Sequence, residues 1–315
     1  MRIFLAGATG AMGRRLVPML VEAGHEVTGT TRSPAKADGL RAAGAEPAVV
    51  DALDARAVRE AVAKAEPEVV VHQLTALTGL GDFRHFDRDF AQTNRLRTEG
   101  TDILLDAARS VGARRFVAQS FGGWPYARGG HPVKTEEDPL DSAPASNARE
   151  SFAAIGHLEA TVTGTPDLDG LALRYGGFYG PGTSLAREGG GDNLVGVVRK
   201  RRLPIVGSGD GYFSFCHIDD AASATLAAVE RGAPGVYNVA DDEPAPVRDW
   251  LPVLARTVGA KPPRRIPRWL ARPLLGPQGM LIMTAAPGMS NAKAKRELGW
   301  TPRWPSWRTG FRDGL

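Results

Sequence analysis

Three glycines, at positions 7, 10 and 13, follow directly on the apolar run Ile3-Phe4-Leu5-Ala6. In Gly7-Ala8-Thr9-Gly10-Ala11-Met12-Gly13 this spacing lets the backbone turn sharply off a strand. It also leaves bare main-chain N–H groups at the start of a helix, where a diphosphate can sit. The strand before the motif and the helical pattern after it supply the context that such a motif requires. Gly7, Thr9, Gly10, Ala11, Met12 and Gly13 are therefore candidate dinucleotide-binding residues. The second strand ends in Thr30-Thr31-Arg32-Ser33. In dinucleotide folds the residue just past this strand meets the adenosine ribose. A carboxylate there suits a free 2′-hydroxyl, and an arginine suits a 2′-phosphate. Arg32 thus favours NADP(H) over NAD(H). After the third strand come Asp51 and Ala52, with Asp51 placed to accept from the adenine amino group. Asp54 is the alternative, and reads equally as a helix N-cap. His217-Ile218-Asp219-Asp220 invites a metal reading, but no second histidine or cysteine is spaced to complete a site, and no metal is expected. Asp219 or Asp220 instead caps a helix beginning near Ala221.

The elements that must position these residues alternate. Strands are expected at Ile3–Ala6, His25–Thr30, Ala48–Val50, Glu68–His72, Arg115–Gln119 and Leu171–Tyr175, with helical stretches such as Ala55–Ala65 and Thr98–Val111 between them. This pattern makes an α/β fold, a doubly wound parallel sheet of the Rossmann type, with its ligand crevice at the carboxyl ends of the strands. The first helix contains Pro18, which should kink it, and Gly24 is a plausible C-cap. After Tyr175 the texture changes to glycine- and proline-rich loops. Residues 1–175 are read as the nucleotide-binding domain and 176–315 as a smaller substrate lobe, with some return of the chain to the first domain. The apolar stretch Trp269–Met283 is read as packing within that lobe, with a lid or a subunit contact as the alternative.

Bulk properties narrow the class. The chain has 315 residues, 43% hydrophobic and 23% charged, which is the make-up of a globular protein large enough for one big domain with a smaller lobe. No apolar run approaches a membrane span, and no secretion signal is evident. The single cysteine, Cys216, fits a reducing compartment and core packing, so a cytoplasmic location without membrane contact is expected. The formal charge of +4 comes from scattered arginines. The one dense run, Arg199-Lys200-Arg201-Arg202, reads as a solvated helix end, and nothing supplies a reading helix or a stacking platform. Nucleic acid is therefore not an expected partner. A small-molecule substrate is, and a homodimer is compatible with the sequence.

Several stretches resemble extended or atypical short-chain dehydrogenases/reductases of the epimerase/dehydratase group. They are the glycine turn, Val70-Val71-His72-Gln73-Leu74-Thr75-Ala76, Arg174 through Gly182, His217-Ile218-Asp219-Asp220, Tyr237-Asn238-Val239 and Leu298-Gly299-Trp300-Thr301-Pro302. The resemblance implies a Rossmann domain with a small C-terminal substrate lobe. It places Leu74 and Thr75 beside the nicotinamide ribose, and Tyr175, Gly177 and Phe178 near the nicotinamide. It also implies a tyrosine four residues before a lysine on one helix face, the lysine lowering the phenol's pKa for proton transfer. That pair is absent. Aligning on Glu159 puts Ser151 in the tyrosine position and Ile155 in the lysine position. The substrate-polarising serine of the group falls at Ser120 or, in another register, at Phe121. Tyr126 is the nearest replacement acid, with packing beside Trp124 as its competing role; His157 and Arg149 are further polar groups near the same helix. In extended members an asparagine near Asn94 holds helix geometry or a water, and N-capping competes with that role.

The expected function is that of an NADP(H)-dependent oxidoreductase or epimerase-like enzyme acting on a small organic substrate without the usual Tyr/Lys pair. The alternative is a non-catalytic NADP(H)-binding sensor, which would bind the dinucleotide without turnover.

Overall fold

In the computed structural model, which describes residues 1–77, 83–188 and 193–315, the alternating strands form one seven-stranded sheet. Its strands are β1 (Arg2–Ala6), β2 (Glu26–Thr31), β3 (Glu46–Val49), β4 (Val69–His72), β5 (Arg115–Phe121), β6 (Asp169–Tyr175) and β7 (Gly235–Val239). The order across the sheet is β3-β2-β1-β4-β5-β6-β7, and every neighbouring pair is parallel. The order reverses between β1 and β4, so the crevice opens where Gly7 leaves β1 and Gln73 leaves β4.

The principal helices are α1 (Ala11–Glu22), α2 (Ala55–Ala65), α3 (Phe86–Arg97), α4 (Glu99–Ser110), α5 (Arg149–Gly164), α6 (Ile218–Glu230), α7 (Val247–Thr257) and α8 (Arg268–Thr284). Successive strand residues face opposite sides of a sheet, and a sheet covered on both faces needs apolar residues at both. Ile3, Leu5, Val71, Val117 and Leu173 accordingly pack with buried residues of α1 and α6. Phe4, Ala6, Val70, Phe116 and Ala118 pack with those of α2, α4 and α5.

Helix α1 continues past Pro18 to Glu22, so the expected kink does not end it. It stops at Gly24 (φ 81°), where Gly24 N–H donates to Val21 O and His25 N–H to Leu20 O. This double closure uses the left-handed conformation that glycine adopts without strain.

Beyond Tyr175 the chain returns to the sheet through α6 and β7. The residue capping α6 is His217, whose Nδ1 accepts from Asp219 N–H at 3.1 Å, so the helix starts three residues earlier than expected. Asp220 does not cap it. The Asp220 carboxylate accepts from the N–H groups of Arg303 (2.8 Å) and Trp304 (2.9 Å), fastening the C-terminal segment. A second core of Tyr179, Val206, Phe215, Trp250, Leu254, Trp307 and Phe311 builds the remaining lobe. Helix α8 kinks at Gly276 (φ 64°), where a Cβ would lie 2.8 Å from Arg84 Cα. Its second half buries Ile282 and Met283, whereas Trp269 and Leu274 in the first half are 75% and 60% exposed. The stretch 269–283 is thus only half core. Among the described residues, no helix is long and apolar enough to cross a membrane, and no group of three or more histidine, cysteine or acidic side chains is placed to hold a metal.

Candidate active site

The glycine turn is built from close approach. A Cβ on Gly13 would lie 2.3 Å from Gly7 O, and one on Gly7 (φ 96°) would lie 2.8 Å from Gln73 O. Gly7 N–H is held by Thr30 Oγ1 at 3.0 Å, tying the turn to the end of β2. Gly10 is the N-cap of α1, and no side chain satisfies the helix's first N–H groups. Unmet amides at a helix N-terminus, with a floor that excludes any side chain, fit a dinucleotide diphosphate. Thr9 and Ala11 are half-buried beside this turn, whereas the Met12 side chain is in the core, leaving only its main chain toward the crevice. Arg32 is exposed just past β2, and its guanidinium makes no hydrogen bond or ion pair among the described residues. Asp51 is exposed and accepts from Leu53 N–H at 3.0 Å; Ala52 is buried beneath it. Asp54 is the N-cap of α2, accepting from Arg56 and Ala57 N–H.

At the end of β4, His72 sets the conformation of the next turn. Its Nδ1 accepts from Leu74 N–H at 3.2 Å, which assigns the proton to Nε2, and Nε2 donates to Leu96 O at 3.1 Å. Leu74 and Thr75 are thereby presented half-buried at the crevice. Burial pushes the His72 pKa down to about 4 from 6.5. The sign follows directly: between pH 6.5 and 4 the unfolded chain takes up a proton that the native imidazole refuses, so stability falls as pH drops through that window. The loss attributable to this residue is on the order of 3 kcal/mol. In urea titrations across that range, His72→Gln is expected to show a flatter pH dependence than the parent.

The end of β5 joins a closed network. Ser120 Oγ donates to Glu159 Oε1 at 2.6 Å. Glu159 also holds Arg174 through two bonds, from Nε (2.8 Å) and Nη2 (2.6 Å). The Arg174 guanidinium lies 4.7 Å over the Tyr126 ring, and the Tyr126 hydroxyl donates to Asn238 Oδ1 at 2.6 Å. Tyr126 is completely buried, and burial pushes its pKa up to about 12. The two side chains put forward for catalysis therefore both face inward, Ser120 toward α5 and Tyr126 toward β7. Their polar atoms tie β5, α5, β6 and β7 together rather than opening to a substrate. Tyr126→Phe is expected to leave turnover unchanged and to cost about 1–3 kcal/mol of stability, because Asn238 Oδ1 loses its donor. Parallel rate and denaturation measurements check both halves of this expectation.

The family's proton-relay positions are equally closed. Ser151 and Ile155 have no exposed surface. Ser151 Oγ donates to Asp87 Oδ1 (2.8 Å) and accepts from Asn94 Nδ2 (3.1 Å). Asn94 lies inside α3 rather than at a helix start. His157 pairs with Asp102 on the outer side of α5, and Arg149 is exposed at its first turn.

Over this helix sits an aromatic group that sequence reasoning missed. Trp124 packs against Phe86, Phe121 and Phe152 at 5.2–5.3 Å between ring centroids, and Phe90 stacks on Phe86 at 4.4 Å. Its members come from α3, the end of β5 and α5, and only their aromatic character could have flagged them. On the adjacent strand β6, Tyr175 pairs in register with Phe121 and is buried with its hydroxyl on Thr225 Oγ1 (2.6 Å), while Gly177 and Phe178 are half-buried. Gly176 lies tight against Ser214 O, 2.4 Å from where a Cβ would stand.

Comparison with known proteins agrees with this architecture. The model of the NAD dependent epimerase/dehydratase family matches residues 3–240. The chain is 49% identical over 313 residues to a Streptomyces protein, 3-diazoavenalumate denitrifying reductase, covering 99% of both chains. It is 28% identical over 264 residues to a Stigmatella aurantiaca ketoreductase acting on 4-hydroxy-2-methyl-3-oxo-4-farnesyl-3,4-dihydroquinoline-1-oxide, covering 83% of this chain and 74% of that one. Among solved structures, UDP-glucose 4-epimerase of Thermotoga maritima shares the fold with a TM-score of 0.75 at 22% identity, over 99% of this chain and 96% of that one. With its glycine turn, parallel strand order and matched length, the chain belongs to the NAD dependent epimerase/dehydratase family.

Proposed function

We propose that this protein is an NADPH-dependent reductase that replaces the diazo group of an aromatic acid by hydrogen. The observation that carries the reading is the burial of Ser151 and Ile155 where the family's proton relay would stand, in a chain close in sequence to a reductase named for a diazo substrate. The Gly7–Gly13 main chain would hold the diphosphate, Leu74 and Thr75 the ribose, and Gly177 and Phe178 the nicotinamide edge. Arg32, unpaired past β2, would take a 2′-phosphate.

When bound, the reduced cofactor supplies one hydride; with an aryl diazonium the balance is a new aryl C–H bond, a broken C–N bond and dinitrogen released, with no proton exchanged. Reduction of a carbonyl would instead build an alkoxide that needs a placed acid. No such acid faces the crevice at Ser120, Tyr126 or Ser151. Phe121 and Trp124, half-buried at the end of β5 over the buried Phe86 and Phe152, offer the apolar surface that an aromatic substrate requires.

The test is to mix purified protein with NADPH and 4-carboxybenzenediazonium and to follow cofactor absorbance together with dinitrogen by mass spectrometry. Equimolar dinitrogen and oxidised cofactor, above the enzyme-free rate, is the expected result. Cofactor oxidation without gas, or no rate above background, overturns the reading. With NADH, or with Arg32→Ala and NADPH, affinity is expected to fall by about tenfold or more, as for loss of a charged hydrogen bond.

A further inference from the structure

Arg97 closes α3 and is 3% exposed, yet its Nε and Nη1 meet no acceptor. One turn earlier on the same helix, Asn94 gives its Nδ2 to Ser151 while its Oδ1 is also unmet. The neighbouring carboxylates are already committed. Asp87 accepts from Glu150 N–H, Ser151 N–H and Ser151 Oγ. Glu159 is neutralised by its two bonds to Arg174 and also accepts from Ser120. Glu159 attracts the Arg97 guanidinium without touching it, and His72, the other titratable group within its field, is held neutral by burial. Guanidinium N–H groups buried without an acceptor are costly, and such groups persist where something pairs with them.

The position of this cation is informative. Phe86 and Phe90 lie on α3 and Phe152 on α5, in the aromatic group at one end of the packed α3–α5 pair. Asn94 and Ser151 bridge the two helices next, and Arg97 follows, within the field of Glu159. Going along the pair, apolar rings give way to a positive charge with two unmet N–H groups, the complement of an aryl group bearing an acid oxygen.

We propose that Arg97 is the recognition residue for an anionic oxygen of the substrate, a carboxylate or a phenolate, in the seam between α3 and α5, with Asn94 Oδ1 free to accept from a ligand hydroxyl or a water. This rests on the reading that the crevice takes an aromatic acid, but binding can be measured without turnover. An ion pair of this kind fixes which end of a planar molecule enters first, which is what a site without a catalytic acid has to control.

The probe is 4-hydroxycinnamate, a planar molecule carrying both oxygens, titrated calorimetrically into the protein with NADP+ bound. Its carboxamide removes the carboxylate, and its methyl ether blocks the phenol. One of these two analogues is expected to bind at least about tenfold more weakly than the parent acid, identifying the oxygen that Arg97 holds. Arg97→Met is expected to abolish that difference, to leave NADPH affinity unchanged and, without ligand, to melt no lower than wild type because an unpaired buried charge has been removed. Arg97→Lys keeps the charge, serves if the methionine variant does not fold, and should retain part of the preference. A methionine variant that melts lower while keeping the preference overturns the proposal, as do equal affinities for all three probes. Failure of dinitrogen release with the anion preference intact would strike the reaction and not this site.

Discussion

Gly13→Ala is expected to abolish measurable dinucleotide binding. The added Cβ would lie 2.3 Å from Gly7 O and 2.5 Å from Ala8 O, both main-chain atoms of the turn itself. Neither can swing away as a long side chain would, so the turn must open and its amides lose their common aim. A loss of about 100-fold or more in NADPH affinity corresponds to roughly 2.7 kcal/mol, no more than the scale of the overpacking itself. Gly10→Ala is the internal control. Its Cβ would stand 3.3 Å from Gly7 O, a tight contact that small shifts relieve. Fluorescence titration of both variants with NADPH should separate them clearly. Equal affinities in Gly13→Ala and the parent protein would remove the turn from cofactor binding.

The second large effect is on stability. Glu159→Gln leaves the Arg174 guanidinium with no carboxylate at a site where the two side chains are only 6–7% exposed. Breaking one half of such a pair costs about 3–5 kcal/mol, much more than its net contribution when intact. Ser120 and the stacking of Arg174 on Tyr126 depend on the same group, so the loss should spread to the β5–β6–β7 edge of the sheet. Urea unfolding of Glu159→Gln measures the cost. The double variant Glu159→Gln/Arg174→Met should recover part of it, because no charge is then stranded. A single variant as stable as the parent would show that the network is not what joins these strands.

What could be read from the sequence follows how local each signal is. The glycine turn, Gly24 closing α1 and Asp54 capping α2 are set by residues within a few positions of one another, and all three stand where their residue types placed them; the strands begin within two residues of their expected starts. The fate of the polar side chains is not local. Tyr126 looked available as an acid because its partner, Asn238, is 112 residues away on a strand that joins the sheet only after the second lobe is built. Ser120 meets Glu159 across 39 residues, and the aromatic group over α5 draws on three separate segments. Asn94 looked like a helix start because charged residues follow it, but packing against α5 keeps α3 helical from Phe86 onward. Asp220 carried a capping signature, yet its bonds to Arg303 and Trp304 depend on a segment more than 80 residues downstream. The absence of the Tyr/Lys pair was visible in the sequence. That the positions are sealed, rather than refilled by another acid, required the fold.

The most direct test of the central claim is to run the reaction with NADPH deuterated at nicotinamide C4, one stereoisomer at a time, and locate the label in the arene. Direct transfer without a protein acid predicts deuterium from one of the two stereoisomers at the ring carbon that carried the diazo group, and none there when unlabelled cofactor reacts in heavy water. Label arriving from heavy water instead would mean that a proton donor delivers the hydrogen, and the account given for this site would be wrong.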